Sequence, residues 1–361
     1  MELLSPRPGL GQIKPYRPAQ PQGDERTWID LSLTVNPLGP SPKALNAYRH
    51  AAGQIHRYPD SRQESLRRAI ARRHDLDTAR IVCADGSDAM IQLFCQAYAG
   101  PGDEVLCHEH GYQGFLKAIR VTGATPLIAK ERDMVVDVDA MIERAGEKTK
   151  LCFLANPNNP TGTYIPLEAV QRLRAGLPSH VLLVLDAAYA EYVRRNNYDC
   201  GAGLVESSDN VAMVRTFSKM HGLAGLRVGW AYGPPPVIDA INHVRGAFNV
   251  SVPAQAAAIT AITDLEHEEA TYGHNSQWLP WLTHELEQLG VRVYPSVCNF
   301  ILVRIPPDPS LGVHQVMEHL EHRNILVRAA LDYGLPDCLR ITVGSEEENR
   351  ALVGALAEIM A

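Results

Sequence analysis

The chain has 361 residues, long enough for more than one hydrophobic core, and 45% hydrophobic with 21% charged residues is ordinary for a soluble globular protein. Lys and Arg total 34 against 41 Asp and Glu, a formal charge of −7 that removes the broad basic surface nucleic-acid binding needs. Seven scattered cysteines without C-x-x-C spacing read as reduced thiols, the opening "MELLSPRPGLGQIKPYRP" lacks the plan of a secretory signal, and no stretch is apolar enough for a membrane span, so a cytoplasmic protein is expected.

In chain order, residues 1–40 read as an arm, because Pro and Gly recur and "NPLGPSP" ends it in turns. Residues 41–245 read as a large domain. Here the apolar runs "RIVCA", "EVLCH", "LCFLA", "VLLVLD" and "VAMVR" alternate with the helical patterns "SDAMIQLFCQAYA", "GFLKAIRVTG" and "LEAVQRLRAG". Strands apolar throughout, separated by amphipathic helices, predict an α/β fold with a mostly parallel sheet covered on both faces. Residues 246–361 read as a smaller α+β domain with strands in "VRVYPSVCNFILVRI", "NILVRA" and "CLRITVG", a helix over 313–323, and a last helix opened by the capping box Ser345 to Glu348.

Several stretches carry more than structure. The strand "RIVCA" runs into Asp85, Gly86, Ser87 and Asp88 and then a helix; the turn is either an ordinary helix cap or a cluster of N–H groups that suits a phosphate. "NPNNPTG" (156–162) follows a strand's carboxyl end, where open α/β sheets place ligands. Asp186 closes an uncharged strand as a cap or as the partner of a buried cation. In "TFSKMHGLAGLRVGW" the hydroxyls Thr216 and Ser218 precede the run's single lysine, Lys219, and Arg227 follows. A lysine in so apolar a setting must reach solvent, pair, or react, and a reactive lysine most often forms a Schiff base. A Schiff-base lysine, an acid for a ring nitrogen, donors for a phenolic oxygen, an aromatic face and a phosphate cradle are together what pyridoxal 5′-phosphate requires.

"NPLGPSPKAL", "RYPD", "NPNNPTG", "DAAYAEY", "RTFSKMHGLAGLRVGW", "NFILVR" and "CLRITVGSEEEN" occur in an order and spacing that resembles the fold-type I, class II aminotransferases, most closely the branch acting on histidinol phosphate. The resemblance implies a pyridoxal-phosphate enzyme passing an amino group between histidinol phosphate and 2-oxoglutarate in histidine biosynthesis; an aromatic amino-acid aminotransferase and a phosphothreonine decarboxylase-like enzyme are the alternatives. It implies that Lys219 holds the aldehyde, Asp186 the ring nitrogen, and Asn159 and Tyr189 the phenolic oxygen. Gly86, Ser87, Asp88, Ser218 and Arg227 fall around the phosphate with Thr216 nearby, and Tyr112 against the ring. Tyr58 would reach the phosphate of a neighbouring subunit, which implies a homodimer. Arg340, Arg328 and Tyr16 would bind substrate.

The chain departs from that pattern at Ala187, Ala89, Val35 and His110, the last two near the expected pocket mouth. The adjacent Cys107, His108, Glu109 and His110 cannot converge on one ion, so no metal is expected. "GLGQIK" and "GAGLVE" lack the third glycine of a dinucleotide fingerprint. His221 is expected to face solvent or pack on a helix. Lys219, Asp186 and Arg340 together argue against a cofactor-binding protein without turnover, which would need neither a proton shuttle nor a carboxylate clamp.

Overall fold

The structure, a computed structural model, describes residues 9–13, 15, 28–306 and 311–360; Tyr16 lies outside them. The large unit begins after a short strand β1 (Ile29–Asp30) with helices α1 (Pro42–Ala51) and α2 (Glu64–His74). Then come β2 (Ile81–Ala84), α3 (Ser87–Tyr98), β3 (Glu104–His108), α4 (Gln113–Thr122), β4 (Thr125–Ala129), the hairpin β5 (Glu131–Arg132) and β6 (Val135–Val136), and α5 (Val138–Arg144). The unit continues through β7 (Thr149–Ala155), α6 (Leu167–Gly176), β8 (Leu182–Asp186), α7 (Ala202–Glu206), β9 (Val211–Thr216), β10 (Gly229–Tyr232), α8 (Pro235–Val244) and α9 (Val252–Ala261).

Seven of these strands form one sheet in the order β2-β10-β9-β8-β7-β3-β4. β10 alone runs antiparallel to its neighbours, so the other six end on the same side. Because side chains alternate across a strand, the apolar runs split between two faces. Cys83, Leu106, Cys152, Leu183 and Met213 meet α2, α5, α6 and α9 on one side. Val82, Val105, Phe153, Val184 and Val214 meet α3, α4 and α8 on the other. The expected doubly covered, mostly parallel sheet is present. β4 and β10 were not among the expected strands.

The second unit starts within α10 (Leu265–Gln288) and adds β11 (Arg292–Val293), β12 (Phe300–Arg304), α11 (Val313–His322), β13 (Ile325–Leu326), β14 (Arg328–Ala329), β15 (Cys338–Thr342) and α12 (Glu346–Met360). Its antiparallel sheet, β11-β12-β15-β14, packs Ile301, Val303, Leu339 and Ile341 against Leu282 and Leu286 of α10 and Leu352 of α12. The capping box forms: Glu348 N donates to Ser345 Oγ at 3.2 Å and Ser345 N to Glu348 Oε2 at 2.7 Å. α9 buries Ala254, Ala257 and Ala258 in the first core. We therefore place the division between the units inside α10, not at the expected residue 246. The arm joins the second unit: β1 pairs in parallel with β13, and Leu31 lies in the second core.

Candidate active site

The carboxyl ends of β2, β3, β7, β8 and β9 lie on one side of the sheet, the side on which open α/β sheets place ligands. Asp186 ends β8 and Thr216 ends β9; "NPNNPTG" follows β7, and the Gly86 turn follows β2.

At the β2–α3 turn Gly86 takes φ +94°, which an L side chain rarely adopts. A Cβ there would sit 2.5 Å from Arg227 Nη2. Glycine thus lets the backbone lie against a guanidinium at the amino end of α3, whose first residues are Ser87 and Asp88. Arg227 Nη1 donates to Ser218 Oγ at 3.3 Å, and Thr216 Oγ1 to Ser218 Oγ at 3.0 Å. Helix N–H groups, two hydroxyls and a guanidinium therefore converge as an anion cradle. Tyr112 caps α4 and its hydroxyl points to Asp88 Oδ1 at 3.4 Å. Gly114 makes room for it, since a Cβ there would meet the Tyr112 ring at 2.3 Å.

Lys219 and Asp186 are both interior groups whose acidity is strongly shifted by their surroundings. Burial, reinforced by the positive charges of Arg340 and Arg227, lowers the Lys219 amine to about 7. Burial raises the Asp186 carboxyl to about 7, and the nearby Asp88 adds to the rise. The structure gives Asp186 one side-chain hydrogen bond, from Ala188 N to Oδ1 at 3.2 Å. Such a carboxyl is prepared for a cation that fixes its charge. Tyr189 is buried with its ring 5.4 Å from Lys219 Nζ, and burial pushes its phenol up, so it is a neutral donor. Arg340 Nη1 donates to Asn159 Oδ1 at 2.7 Å, which turns the Asn159 NH₂ away from Arg340 as a free donor.

Arg340 is itself buried; its Nη2 donates to Ser32 O at 2.5 Å and its guanidinium lies 5.6 Å from the Phe300 ring. Arg328 is its direct partner across β14 and β15, and residues facing each other in an antiparallel pair project on one face. The two guanidiniums therefore share a face of the small sheet. Arg328 also reaches Asp332 at 3.2 Å.

Tyr58 stands apart from this cluster: it is 82% exposed and stacks on Phe248 with ring centroids 4.6 Å apart. His221 does not face solvent. It is buried against Phe217, with Nε2 3.9 Å from Glu191, which pairs with buried Arg215 at 2.7 Å. His108 turns away from its cysteine neighbour and hydrogen-bonds Glu131 at 2.6 Å, both buried, while Glu131 also accepts from His110 N. This pair fixes the loop leading to Tyr112.

Sequence reasoning missed the arm's part. Ser32 O meets Arg340, Thr34 Oγ1 accepts from Lys219 Nζ at 2.6 Å, and Asn36 Nδ2 donates to Met220 O at 2.9 Å. Asn299 Nδ2 holds the carbonyls of Thr34 and Val35 at 3.1 Å each. The motif "NPLGPSP" marked the segment, but no periodicity signals which loop residue contacts a lysine 185 positions away.

A lysine with a lowered pKa, a carboxyl across the crevice, paired phenol and amide donors and an anion cradle define a site for chemistry at a carbonyl carbon on a doubly wound α/β scaffold. A family model described as aminotransferase class I and II matches residues 26–356, and the chain belongs to that family. It is 50% identical over 362 aligned residues to a histidinol-phosphate aminotransferase of Paramagnetospirillum magneticum, covering 100% of this chain and 99% of the relative. A protein of the same name from Rhodopseudomonas palustris is 47% identical, with 99% and 98% covered. Among solved structures, histidinol-phosphate aminotransferase of Sinorhizobium meliloti in complex with pyridoxal-5′-phosphate superposes with a TM-score of 0.90 at 28% identity, covering 99% of this chain and 98% of that one.

Proposed function

We propose that this chain is a pyridoxal-phosphate-dependent aminotransferase that passes an amino group between histidinol phosphate and 2-oxoglutarate, through glutamate, in histidine biosynthesis, working as a cytoplasmic homodimer. The observation that carries the reading is the half-buried Lys219, its amine lowered to about 7 and within electrostatic reach of Asp186, with the Ser218–Arg227 cradle, in a chain half identical along its whole length to proteins so named.

The residues fit the cofactor. Asp186, its pKa raised by burial, matches a protonated ring nitrogen, whose charge would restore it to a carboxylate. When bound, pyridoxal phosphate supplies an aldehyde carbon for exchange with amines and a ring that draws electrons from the substrate Cα. Lys219 would hold that carbon through an amine that is substantially neutral near pH 7. When free, the same amine would serve as the base that takes the Cα proton and returns it. Asn159 and Tyr189 would donate to the phenolic oxygen. Gly86, Ser87, Asp88 and Ser218, backed by Thr216, with Arg227, would hold the phosphate, and Tyr112 would cover one ring face.

Arg340 and Arg328 would grip the histidinol phosphate phosphoryl group in one half-reaction and the carboxylates of glutamate in the other, a dual use that fits two guanidiniums on one sheet face. Tyr16 would line the same pocket. Tyr58, exposed in the single chain, would reach the phosphate of the partner subunit.

Adding histidinol phosphate to the pyridoxal form and following its absorbance tests the reading. Conversion to the pyridoxamine form, reversed by 2-oxoglutarate, is expected. With phosphothreonine in place of histidinol phosphate, release of carbon dioxide without consumption of 2-oxoglutarate would replace amino transfer by decarboxylation, and conversion by phenylalanine or tyrosine alone would move the substrate to an aromatic amino acid.

A further inference from the structure

Thr34 is a buried threonine with φ +54°, in the left-handed region where a β-branched residue is an outlier. Backbone strain of this kind persists where the surroundings over-determine it, and it gathers at functional sites. The surroundings here are explicit. Thr34 N donates to Thr342 Oγ1 at 2.9 Å and Thr34 O accepts from Asn299 Nδ2 at 3.1 Å, so the second unit clamps both sides of its peptide backbone.

A glycine would make this turn without the Cβ penalty. What threonine adds is a hydroxyl, and that hydroxyl lies between two residues of the proposed chemistry: Lys219 Nζ donates to it at 2.6 Å, and Tyr189 Oη is 3.2 Å away. An oxygen that accepts from the lysine keeps its own proton to donate to the Tyr189 oxygen, which leaves the Tyr189 O–H to donate elsewhere.

We propose that Thr34 is a positioning residue for the reaction: its hydroxyl holds the free amine of Lys219 and orients the phenol of Tyr189, so that both present toward the bound cofactor. The proposal rests on the reading of Lys219 as the covalent anchor. It also makes the arm part of the site, since the residue that holds the lysine is itself held by β15 and the loop before β12.

The test uses full-length cofactor-free protein and its Thr34→Ser, Thr34→Val and Thr34→Gly variants. The rate of condensation with added pyridoxal phosphate is followed by absorbance across pH, and melting temperatures are recorded in parallel. Thr34→Ser keeps the oxygen and condenses within about threefold of wild type. Thr34→Val and Thr34→Gly lose it, and their plateau rates fall by roughly tenfold, the scale of a lost orienting contact.

Their pH midpoint also moves down, because an acceptor that favours the ammonium form is gone. At pH 7.5 an amine with a pKa of about 7 is already mostly neutral, so this shift gains only about 1.3-fold in reactive amine and cannot hide the loss. Thr34→Gly releases the strained turn and melts at or above wild type, which separates a slower reaction from a damaged fold. Wild-type plateau rates and an unshifted midpoint in Thr34→Gly or Thr34→Val would overturn the role of the hydroxyl while leaving the function standing. A wild type that does not condense at Lys219 would overturn the function, and this proposal with it.

Discussion

Replacing Lys219 with methionine removes a cation that the fold tolerates poorly. In the folded chain the amine sits near 7, lowered chiefly by burial, against 10.5 for an exposed lysine. Above pH 10.5 neither the folded nor the unfolded lysine holds a proton. As pH falls toward 7 the unfolded lysine gains one and the folded lysine does not, so wild-type stability falls, and below 7 the penalty is constant. Linkage then gives Lys219→Met, relative to wild type, a gain of about 5 kcal/mol at pH 6, about 4 kcal/mol at pH 7.5 and about 2 kcal/mol at pH 9. The residue remains partly exposed, and solvent screening brings the expected gain to roughly half of these figures. Loss of the hydrogen bond to Thr34 subtracts about 1 kcal/mol at every pH and leaves the slope unchanged. Urea unfolding of cofactor-free wild type and variant at the three pH values measures the difference, in which titrating groups that do not interact with Lys219 cancel. A gain that does not shrink between pH 6 and pH 9, or a variant less stable than wild type at pH 6, would refute the buried, depressed amine.

Arg328→Gln should weaken reaction with histidinol phosphate by roughly 10- to 100-fold and with glutamate by less, read from the two half-reactions separately; equal losses would mean that Arg328 does not distinguish phosphate from carboxylate. Co-expression of Lys219→Ala and Tyr58→Ala chains should give mixed dimers with about half of native activity, since one of the two sites is then intact; activity no higher than that of Tyr58→Ala alone would place Tyr58 in its own subunit's site. Glu191→Gln should destabilise the protein by about 3–5 kcal/mol because it leaves buried Arg215 without the counter-charge 2.7 Å away, whereas Glu191→Leu with Arg215→Met should cost less than the single change. Denaturation midpoints of the three proteins compare them directly, and a double variant worse than Glu191→Gln would contradict the cost assigned to an unpaired buried Arg215.

The parts of the fold that announce themselves in the sequence are those set by local patterns. β8 is five consecutive buried residues ending in a carboxylate, and both its depth and its end are visible in "LLVLD". Lys219 stands out because an apolar run gives it no reason to be there. β4 is harder to read, since it is an edge strand that contains Pro126 and exposes Thr125. α9 conceals its allegiance: "VPAQAAAITA" is small and apolar all round, so no amphipathic stripe tells which core it joins. The contacts of Ser32, Thr34 and Asn36 come from an irregular segment stretched between two units. Their roles depend on tertiary placement alone, as does the burial of His221 beside Glu191.

Borohydride reduction of the protein mixed with pyridoxal phosphate, followed by peptide mapping, bears on the central claim most directly. A phosphopyridoxyl group on the peptide that contains Lys219, absent from the Lys219→Ala protein, is the predicted result. Label on another lysine, or none at residue 219 while the protein still transfers amino groups, would contradict it.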